Sequence, residues 1–287
     1  MRVRYIFSSR RTGTIEGKND HRKAFPKIAK EVVERSDLLL EILDARFIEK
    51  TRNSEIEAFI TSMKKKVIFV LNKADLVNVK ELKTLVDLTK LEPYIFISCH
   101  ERSGIGRLRN LIKTEIGKMN LVRKGFVGVI GYPNTGKSTI INILIGRKSA
   151  STSAEAGHTK GIQKLKLSKN ILILDTPGVI PDKEYAVSNN YLKRHAEIGI
   201  RTYDKVKDPD FIVNKIVQDY PNLLEEYYQI DAKGDCEILM EKLGRKRNTL
   251  KKGNQVDTDK VARAILKDWQ DGKIYKSGSV KMFINGK

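Results

Sequence analysis

Gly131-Tyr-Pro-Asn-Thr-Gly136-Lys137-Ser138 is the stretch that decides the fold of this 287-residue chain. It matches the pattern Gly-x-x-x-x-Gly-Lys-Ser/Thr and lies between an apolar run at residues 126–130 and a segment with helical character. In such a strand–loop–helix setting the glycines let the backbone curl, so that successive N–H groups face the phosphates of a nucleotide. We expect Lys137 to contact the β- and γ-phosphates and the Ser138 hydroxyl to bind Mg²⁺.

Apolar and amphipathic segments alternate on both sides of this loop. Short apolar runs bounded by charged or turn residues predict strands at residues 37–44, 66–71, 94–98, 126–130, 162–167 and 170–174. Apolar residues at helical spacing predict helices at residues 20–35, 53–63, 79–91 and 106–120, and another that begins near residue 136. This alternation indicates an α/β fold, with a sheet that carries helices on both faces.

A second motif, Asp175-Thr-Pro-Gly178, directly follows an apolar strand about forty residues after the lysine of the loop. A carboxylate at that strand end can hold the Mg²⁺ shell through water, and the N–H of Gly178 can reach a γ-phosphate. Between the two motifs, Thr159 stands where a switch threonine would complete the Mg²⁺ coordination.

A third motif, Asn72-Lys-Ala-Asp75, follows the predicted strand at residues 66–71. An aspartate can accept two hydrogen bonds from N1–H and the exocyclic amine of guanine, a donor pair that adenine lacks. We expect Lys73 to lie over the base and Asn72 to tether the neighbouring loops. Ser98-Cys99-His100 follows the next strand, where a backbone N–H would meet the guanine carbonyl oxygen.

The order of the motifs points to a family. The base-reading motifs come first, then the phosphate-binding loop, the switch threonine and the Mg²⁺-binding turn, whereas ordinary small GTPases begin with the phosphate-binding loop. The sequence therefore resembles the circularly permuted GTPases that assist ribosome assembly, and most of all their bacterial, archaeal and mitochondrial group acting on the large subunit. Asp44-Ala-Arg46 and Thr51-Arg-Asn53 also resemble a stretch of that group. The resemblance covers roughly residues 20–185.

This resemblance implies a P-loop GTPase fold, circularly permuted, that binds GTP and GDP and hydrolyses GTP slowly unless a ribosomal particle stimulates it. The expected nucleotide-binding residues are Asn72, Lys73, Asp75, Ser98, Cys99, His100, Asn134, Thr135, Gly136, Lys137, Ser138, Thr139, Asp175 and Gly178. The expected catalytic residues are Lys137, Thr159 and Gly178. Mg²⁺ is expected at Ser138, Thr159 and, through water, Asp175, and K⁺ at Asn134.

The group that orients the attacking water is left open by the sequence. Many GTPases place a glutamine directly after the Mg²⁺-binding turn, but Val179 stands there in this chain. The resemblance implies the class in which an apolar residue replaces that glutamine and another group supplies the polar contact. His21, His158 and basic side chains near the switch are the candidates.

Beyond about residue 185 the strand pattern stops, and helical spacing predicts a small all-α C-terminal domain. We expect three parts: a basic, mobile segment at residues 1–19, the permuted GTPase domain at 20–185, and a helical RNA-binding domain at 186–287. The 55 Lys and Arg against 35 Asp and Glu give a net charge of +20, which favours a polyanionic partner. The expected partners are ribosomal RNA and large-subunit precursors.

The basic residues of the helical domain supply the RNA-contact candidates. The densest group is Arg245, Lys246, Arg247, Lys251 and Lys252. A second group is Lys193, Arg194, Arg201 and Lys205. Tyr227, Tyr228 and Trp269 lie in the same domain, although the helical spacing of Trp269 favours a place in the core. These groups predict contact with phosphates rather than reading of base sequence.

Two other functions fit the same motifs. One is a GTP-dependent signalling switch with a protein effector, and the other is a GTP-binding RNA scaffold with little turnover. The apolar runs are too short to cross a bilayer, and no secretory signal is apparent. Two cysteines without metal-ligand spacing argue against zinc and favour a reducing compartment, so a cytoplasmic location is expected.

Overall fold

A computed structural model describes residues 20–146, 162–175, 198–199 and 202–274, with side chains from residue 27. The strands are β1 (Leu38–Asp44), β2 (Lys66–Asn72), β3 (Tyr94–Phe96), β4 (Gly125–Ile130), β5 (Gln163–Ser168) and β6 (Ile171–Asp175). The helices are α1 (Asp20–Arg35), α2 (Ile48–Thr51), α3 (Ser54–Ser62), α4 (Val79–Leu85), α5 (Ile105–Lys118), α6 (Lys137–Ile145), α7 (Pro209–Asp219), α8 (Leu223–Tyr228), α9 (Cys236–Lys246) and α10 (Thr258–Gln270).

The described strands form one six-stranded sheet with the order β3-β2-β1-β4-β6-β5. Only β5 runs antiparallel to its neighbour, while the other pairs are parallel. The parallel strands therefore start at one edge of the sheet, here called the amino edge, and end at the other, the carboxyl edge. Asp44, Asn72, Ile130 and Asp175 end their strands at the carboxyl edge, so a ligand is expected there.

Helices cover both faces of the sheet. On one face α5 and α6 pack against alternate residues of β1, β2, β4 and β6. On the other face α1 and α3 pack against β1 and β4, and α4 packs against β1 and β2. Every residue of β1 is buried, as expected for a central strand with both faces covered. This arrangement confirms the predicted α/β fold.

Two predicted elements are shorter than their apolar patterns. The helix predicted at residues 79–91 ends at Leu85, and a separate 3₁₀ turn covers Thr89–Leu91. The carboxylate of Asp87 accepts hydrogen bonds from the N–H and hydroxyl of Thr89, which offers the backbone an alternative to the helix. The strand predicted to residue 98 ends at Phe96, because Ser98 bonds to Ser103 instead.

The C-terminal helices form a core of their own that also contacts residues at the carboxyl edge of the sheet. Helices α7 to α10 bury a cluster around Trp269, which is 1% exposed, as its helical spacing predicted. Phe47, which follows β1, and Tyr132, which lies in the phosphate-binding loop, belong to the same cluster. The helical region therefore packs directly on the carboxyl edge. The expected boundary near residue 185 lies outside the described residues.

Glu41 is a fully buried carboxyl group in the middle of β1. Its Oε1 accepts the N–H of Asn53 at 3.1 Å, whereas Oε2 has no hydrogen-bond partner among the described residues. Burial, together with the nearby charge of Glu57, raises the pKa of Glu41 to about 8. Glu41 is therefore protonated at neutral pH.

Glu41→Gln is expected to remove a pH-dependent loss of stability. Because the pKa in the folded protein lies above its ordinary value of 4.5, ionisation of Glu41 destabilises the fold as pH rises from about 4.5 to about 8. Relative to the wild type, the free energy of unfolding of the variant should rise by roughly 3 to 4 kcal/mol between about pH 5 and pH 8. Urea unfolding at both pH values measures this difference. Parallel changes in the two proteins would contradict it.

Candidate nucleotide-binding site

The loop between β4 and α6 needs its two glycines for space as well as for backbone conformation. Gly131 has a φ of +141°, and a Cβ atom there would lie 2.5 Å from the carbonyl oxygen of Ile42. Gly136 has a φ of +99°, and its Cβ would lie 2.3 Å from Nδ2 of Asn72. Side chains at these positions would push the loop away from β1 and from the Asn72 loop, so glycine is required.

Lys137 begins α6, and its side chain is buried beneath the loop. Its Nζ donates to the carbonyl oxygens of Gly131 at 3.0 Å and Tyr132 at 2.6 Å. Burial lowers the pKa of Lys137 to about 8, while the nearby charge of Asp175 acts in the opposite direction. The ammonium group thus lies at the base of the loop, where a phosphate could replace the carbonyl contacts.

The other predicted phosphate and Mg²⁺ residues lie around the same loop. Thr135 is buried and donates its hydroxyl to the carbonyl of Tyr132, while Ser138 is half-buried and Thr139 exposed in the first turn of α6. Asp175 is buried at the carboxyl end of β6, two strands from β1. Thr159 and Gly178 lie outside the described residues, as do Val179 and His158; for His21 only the backbone is described.

Asn72 joins three loops at the carboxyl edge. Its Nδ2 donates to the carbonyl oxygen of Thr135 at 2.8 Å, and its Oδ1 accepts the N–H of Cys99 at 3.3 Å. The side chain is buried, so these bonds are shielded from water. Asn72 therefore fixes the distance between the phosphate-binding loop and the two loops predicted to read the base.

Asp75 lies in the 3₁₀ turn that follows Asn72, next to the Cys99 loop. Burial raises the pKa of the Cys99 thiol to about 12, and the charge of Asp75 adds to this effect. Oδ1 of Asp75 is shielded from solvent and has no hydrogen-bond partner among the described residues. A shielded carboxylate oxygen without a donor is costly, so this group is suited to a ligand that brings N–H donors. Ser98 is buried behind it and His100 is exposed.

Lys73 occupies a place that the sequence did not predict. Its backbone is left-handed, with φ at 62°, and its Nζ lies 2.8 Å from Oδ2 of Asp44. Arg46 binds the same carboxylate, with Nε 3.0 Å from Oδ1 and Nη2 2.8 Å from Oδ2. Although burial alone would raise it, the charges of Arg46 and Lys73 hold the pKa of Asp44 well below its usual range.

Arg46 also connects this group to the helical region. Its Nη1 donates to the carbonyl oxygen of Trp269 at 3.2 Å, in the last turn of α10. The loop residue Asn134 makes a second connection, because its Nδ2 donates to the carbonyl oxygen of Gly199 at 2.6 Å. The resemblance had pointed to Asp44-Ala-Arg46, but no pattern in the sequence indicated its contacts.

Comparison with known proteins agrees with this geometry. A family model described as "50S ribosome-binding GTPase" matches residues 126–242, which include the phosphate-binding loop but not the Asn72 motif that precedes it. An uncharacterized GTP-binding protein of Methanocaldococcus jannaschii is 39% identical over 254 residues, covering 86% of this chain and 65% of that protein. Nuclear GTP-binding protein NUG1 of Saccharomyces cerevisiae is 30% identical over 300 residues, covering 91% of this chain and 57% of that protein.

Among solved structures, GNP-bound YlqF from T. maritima matches with a TM-score of 0.60 and 26% identity, over 88% of this chain and 94% of that one. The chain has the fold and the motif order of a circularly permuted P-loop GTPase. The permuted GTPase described here spans about two thirds or less of the length of the curated relatives named above.

The basic residues predicted to contact RNA differ in whether their charged groups already contact other residues of the protein. Lys246 donates to the carbonyl oxygen of Tyr228, and Arg247 lies over the ring of Tyr228 and 3.4 Å from Asp268. Arg245, Lys251 and Lys252 are exposed, although Arg245 pairs with Glu241 and Lys251 with Asp257. Lys193, Arg194 and Arg201 lie outside the described residues, as does the side chain of Lys205.

Two of the three aromatic residues in this region cannot stack on bases. Tyr228 and Trp269 are buried in the helical core, and Tyr220 packs against Trp269 with 5.1 Å between ring centroids. Of the three predicted candidates, Tyr227 is exposed, at 37%, and Phe211 of α7 is a further exposed aromatic residue of this region. Burial of Trp269 agrees with the place in the core that its helical spacing predicts, whereas Tyr228 is not available to an RNA as expected. No helix within the described ranges is long and apolar enough to span a membrane.

Proposed function

We propose that this chain binds and hydrolyses GTP and acts in assembly of the large ribosomal subunit, with its nucleotide state controlling contact with ribosomal RNA. One observation carries the nucleotide part of this proposal. Asn72 joins the loop over Lys137 to the loops that hold Asp75 and Cys99, so one side chain sets the spacing between a phosphate site and a base site. The description of the matching family model, 50S ribosome-binding GTPase, supports the ribosomal part.

The same edge suits Mg²⁺. The Ser138 hydroxyl and the Asp175 carboxylate are oxygen donors on adjacent elements, the type of ligand that Mg²⁺ prefers, and Mg²⁺ would offset the charge of the phosphates. Thr159 would join this set when GTP is bound. We further propose that the Oδ1 atom of Asn134 helps to hold K⁺ near the phosphates, while its Nδ2 donates to Gly199.

In this proposal Lys137 binds the β- and γ-phosphates, and Gly178 and Thr159 respond to the γ-phosphate. The side chain of Val179 can neither donate nor accept a hydrogen bond, so the side-chain contact to the attacking water must come from another residue. Release of phosphate from GTP, measured in K⁺ and in Na⁺ buffer with and without large-subunit particles, tests the activity. Stimulation by the particles and by K⁺ is expected, and a rate that neither changes would favour the scaffold with little turnover.

Asp75→Asn tests the assignment of the base site. The variant is expected to bind GDP and GTP about 100-fold more weakly, because an amide replaces the carboxylate that accepts two N–H groups. It should gain affinity for xanthosine diphosphate, whose ring carries a carbonyl where guanine has an amine, since the new amide can donate to it.

Fluorescence titration with labelled nucleotides measures both affinities. Asp87→Asn is the matched control, since Asp87 is fully exposed and bonds only to Thr89 within its own turn. An unchanged preference for guanine over xanthine in Asp75→Asn would refute base reading by this residue.

A further inference from the structure

The positive charge of the chain does not lie in the described helical region. Residues 202–274 contain 14 Lys and Arg and 14 Asp and Glu, so their net charge is zero. Residues 20–146 contain 23 basic and 15 acidic residues, and residues 162–175 contain three and one, which gives these ranges +8 and +2. The net positive charge of the described residues thus belongs to the sheet and its covering helices.

Many of these basic residues meet at the amino edge of the sheet, opposite the nucleotide site. We call them the amino-edge band: Lys65, Lys66, Lys113, Lys118, Arg123, Lys124 and Lys169. They lie at the start of β2, at the end of α5, in the segment before β4 and in the turn between β5 and β6. The band crosses four neighbouring strands, a width of about 15 Å at ~4.8 Å per strand.

Two carboxylates at this edge, Glu115 and Asp37, are neutralised by members of the band. Glu115 is contacted by Lys66 and by Lys118 at 2.9 Å, and Asp37 accepts two bonds from Arg123 at 2.8 Å. The pKa of each carboxyl group is held below its usual range by hydrogen bonds and charges from the same partners. Of the remaining lysines, Lys65 is half-buried and donates to the backbone carbonyl oxygens of Glu34 and Ser36. Lys113, Lys124 and Lys169 are exposed, and no carboxylate of the described chain lies within 4 Å of them.

Part of the band lines an open cavity of about 480 Å³ at the C-terminal end of α5 and the starts of β4 and β6, beside the apolar residues Ile116, Leu121, Val122 and Ile171. Lys113, Arg123 and Lys124 line it together with the polar side chains of Asn120, Ser168 and Asn170. Cationic and hydrogen-bonding side chains around a concave surface suit a ligand that carries several anionic oxygens and can enter this cavity. A phosphodiester backbone has this chemistry.

We propose that the amino-edge band binds the phosphate backbone of RNA and is the main RNA-contact surface of the described chain. This inference rests on the proposed role in ribosome assembly and moves the contact from the helical region to the sheet domain. RNA is bound at one edge of the sheet and nucleotide at the other, so the two ligands do not compete for space.

The side chains around the band favour RNA over a membrane surface. Membrane-surface sites combine basic residues with exposed bulky apolar or aromatic side chains that enter the lipid. The large exposed apolar residues near this edge are Val122 and Met63, and no aromatic residue is among them in the described chain. Two isolated aliphatic side chains give little anchoring, whereas a wide cationic groove matches a polyanion.

The test compares two triple variants of equal charge change. Lys113→Gln, Lys124→Gln and Lys169→Gln together remove the unpaired lysines of the band, and Arg245→Gln, Lys251→Gln and Lys252→Gln remove the exposed charges of the rival group. Fluorescence anisotropy with transcribed large-subunit ribosomal RNA measures the dissociation constant at several salt concentrations. We expect the first triple to bind about tenfold to 100-fold more weakly and to lower the salt slope by about 2 to 3. The second should change affinity less than about threefold.

Additional variants separate charge from folding. Replacing the same three lysines with arginine should preserve RNA affinity, and Lys169→Gln alone, in an exposed turn, should lower the salt slope by about 0.7 to 0.9. GDP affinity should be unchanged in all amino-edge variants, because these residues lie at the far end of the strands. Wild-type affinity in the amino-edge triple, or an equal loss in the rival triple, overturns the inference.

Two further outcomes identify what has failed. If the wild-type protein binds RNA and the amino-edge triple binds it equally well, the proposed role stands and only the surface is wrong. If the wild-type protein shows no salt-dependent RNA binding, the RNA part of the proposed function fails with it. Phosphatidylglycerol vesicles are the parallel probe, and loss of vesicle binding without loss of RNA binding in the triple would assign the band to a membrane instead.

Discussion

Lys137→Met is expected to weaken GTP binding about a thousandfold, which corresponds to about 4 kcal/mol. The ammonium group is buried at the base of the phosphate-binding loop, where a phosphate would meet a cation shielded from water. Loss of a buried partner for a charged ligand costs several kcal/mol, because the charge left behind is desolvated and unpaired. Methionine keeps the apolar stem in place, so the fold should persist.

Titration with a fluorescent GTP analogue measures this loss, and thermal unfolding without nucleotide checks the fold. Lys233→Met is the matched control, since Lys233 is exposed in the turn before α9 and far from the loop. A loss of less than about tenfold in Lys137→Met, with the fold intact, would show that phosphate binding does not depend on this amine.

The pH dependence of binding gives a second test of Lys137. Because burial lowers its pKa to about 8, GTP binding above about pH 8 should take up a proton, and affinity should fall as pH rises. The stability of the free protein should change in the opposite direction. Since the pKa in the folded protein lies below its ordinary value of 10.5, the free energy of unfolding rises between about pH 8 and pH 10.5. Lys137→Met should lack both trends.

The fold and the placement of the motifs at one edge of the sheet could be predicted from the sequence because their signals are local. A strand followed by Gly131 to Ser138, or by Asn72 to Asp75, identifies both the element and the edge at which it ends. In a parallel sheet the carboxyl ends lie together, so motifs about sixty residues apart could be placed side by side. The helix predicted to residue 91 failed for an equally local reason, the side-chain bonds of Asp87.

The packing of the helical region on the sheet could not be predicted from the sequence in the same way. Tyr132 belongs to the helical core, and Arg46 bonds to Trp269, a residue 223 positions away. No periodicity or motif encodes a contact between segments so distant in the chain. Net charge was misleading as well, because a total of +20 does not reveal that residues 202–274 are neutral.

The second large effect is expected at Arg46. Arg46→Met should lower the free energy of unfolding by about 3 to 5 kcal/mol, because it leaves the buried carboxylate of Asp44 with Lys73 alone. It also removes a donor from the carbonyl end of α10, where a positive charge is favourable. Urea unfolding measures the loss. Arg52→Met is the control, since its ion pairs to Glu49 and Glu57 are partly exposed and should contribute about 1 kcal/mol or less.

Arg46 should also couple nucleotide binding at the proposed base site to the stability of α10. In the proposed site guanine would bind Asp75, which lies in the same loop as Lys73. Lys73 shares the carboxylate of Asp44 with Arg46, whose guanidinium donates to the carbonyl oxygen of Trp269. Hydrogen exchange in α10 is therefore expected to slow when GDP binds the wild-type protein. In Arg46→Met at saturating GDP this protection should disappear while that of α6, next to the phosphates, remains. Equal protection of α10 in both proteins would show that the helical region senses nucleotide by another route, such as the bond from Asn134 to Gly199.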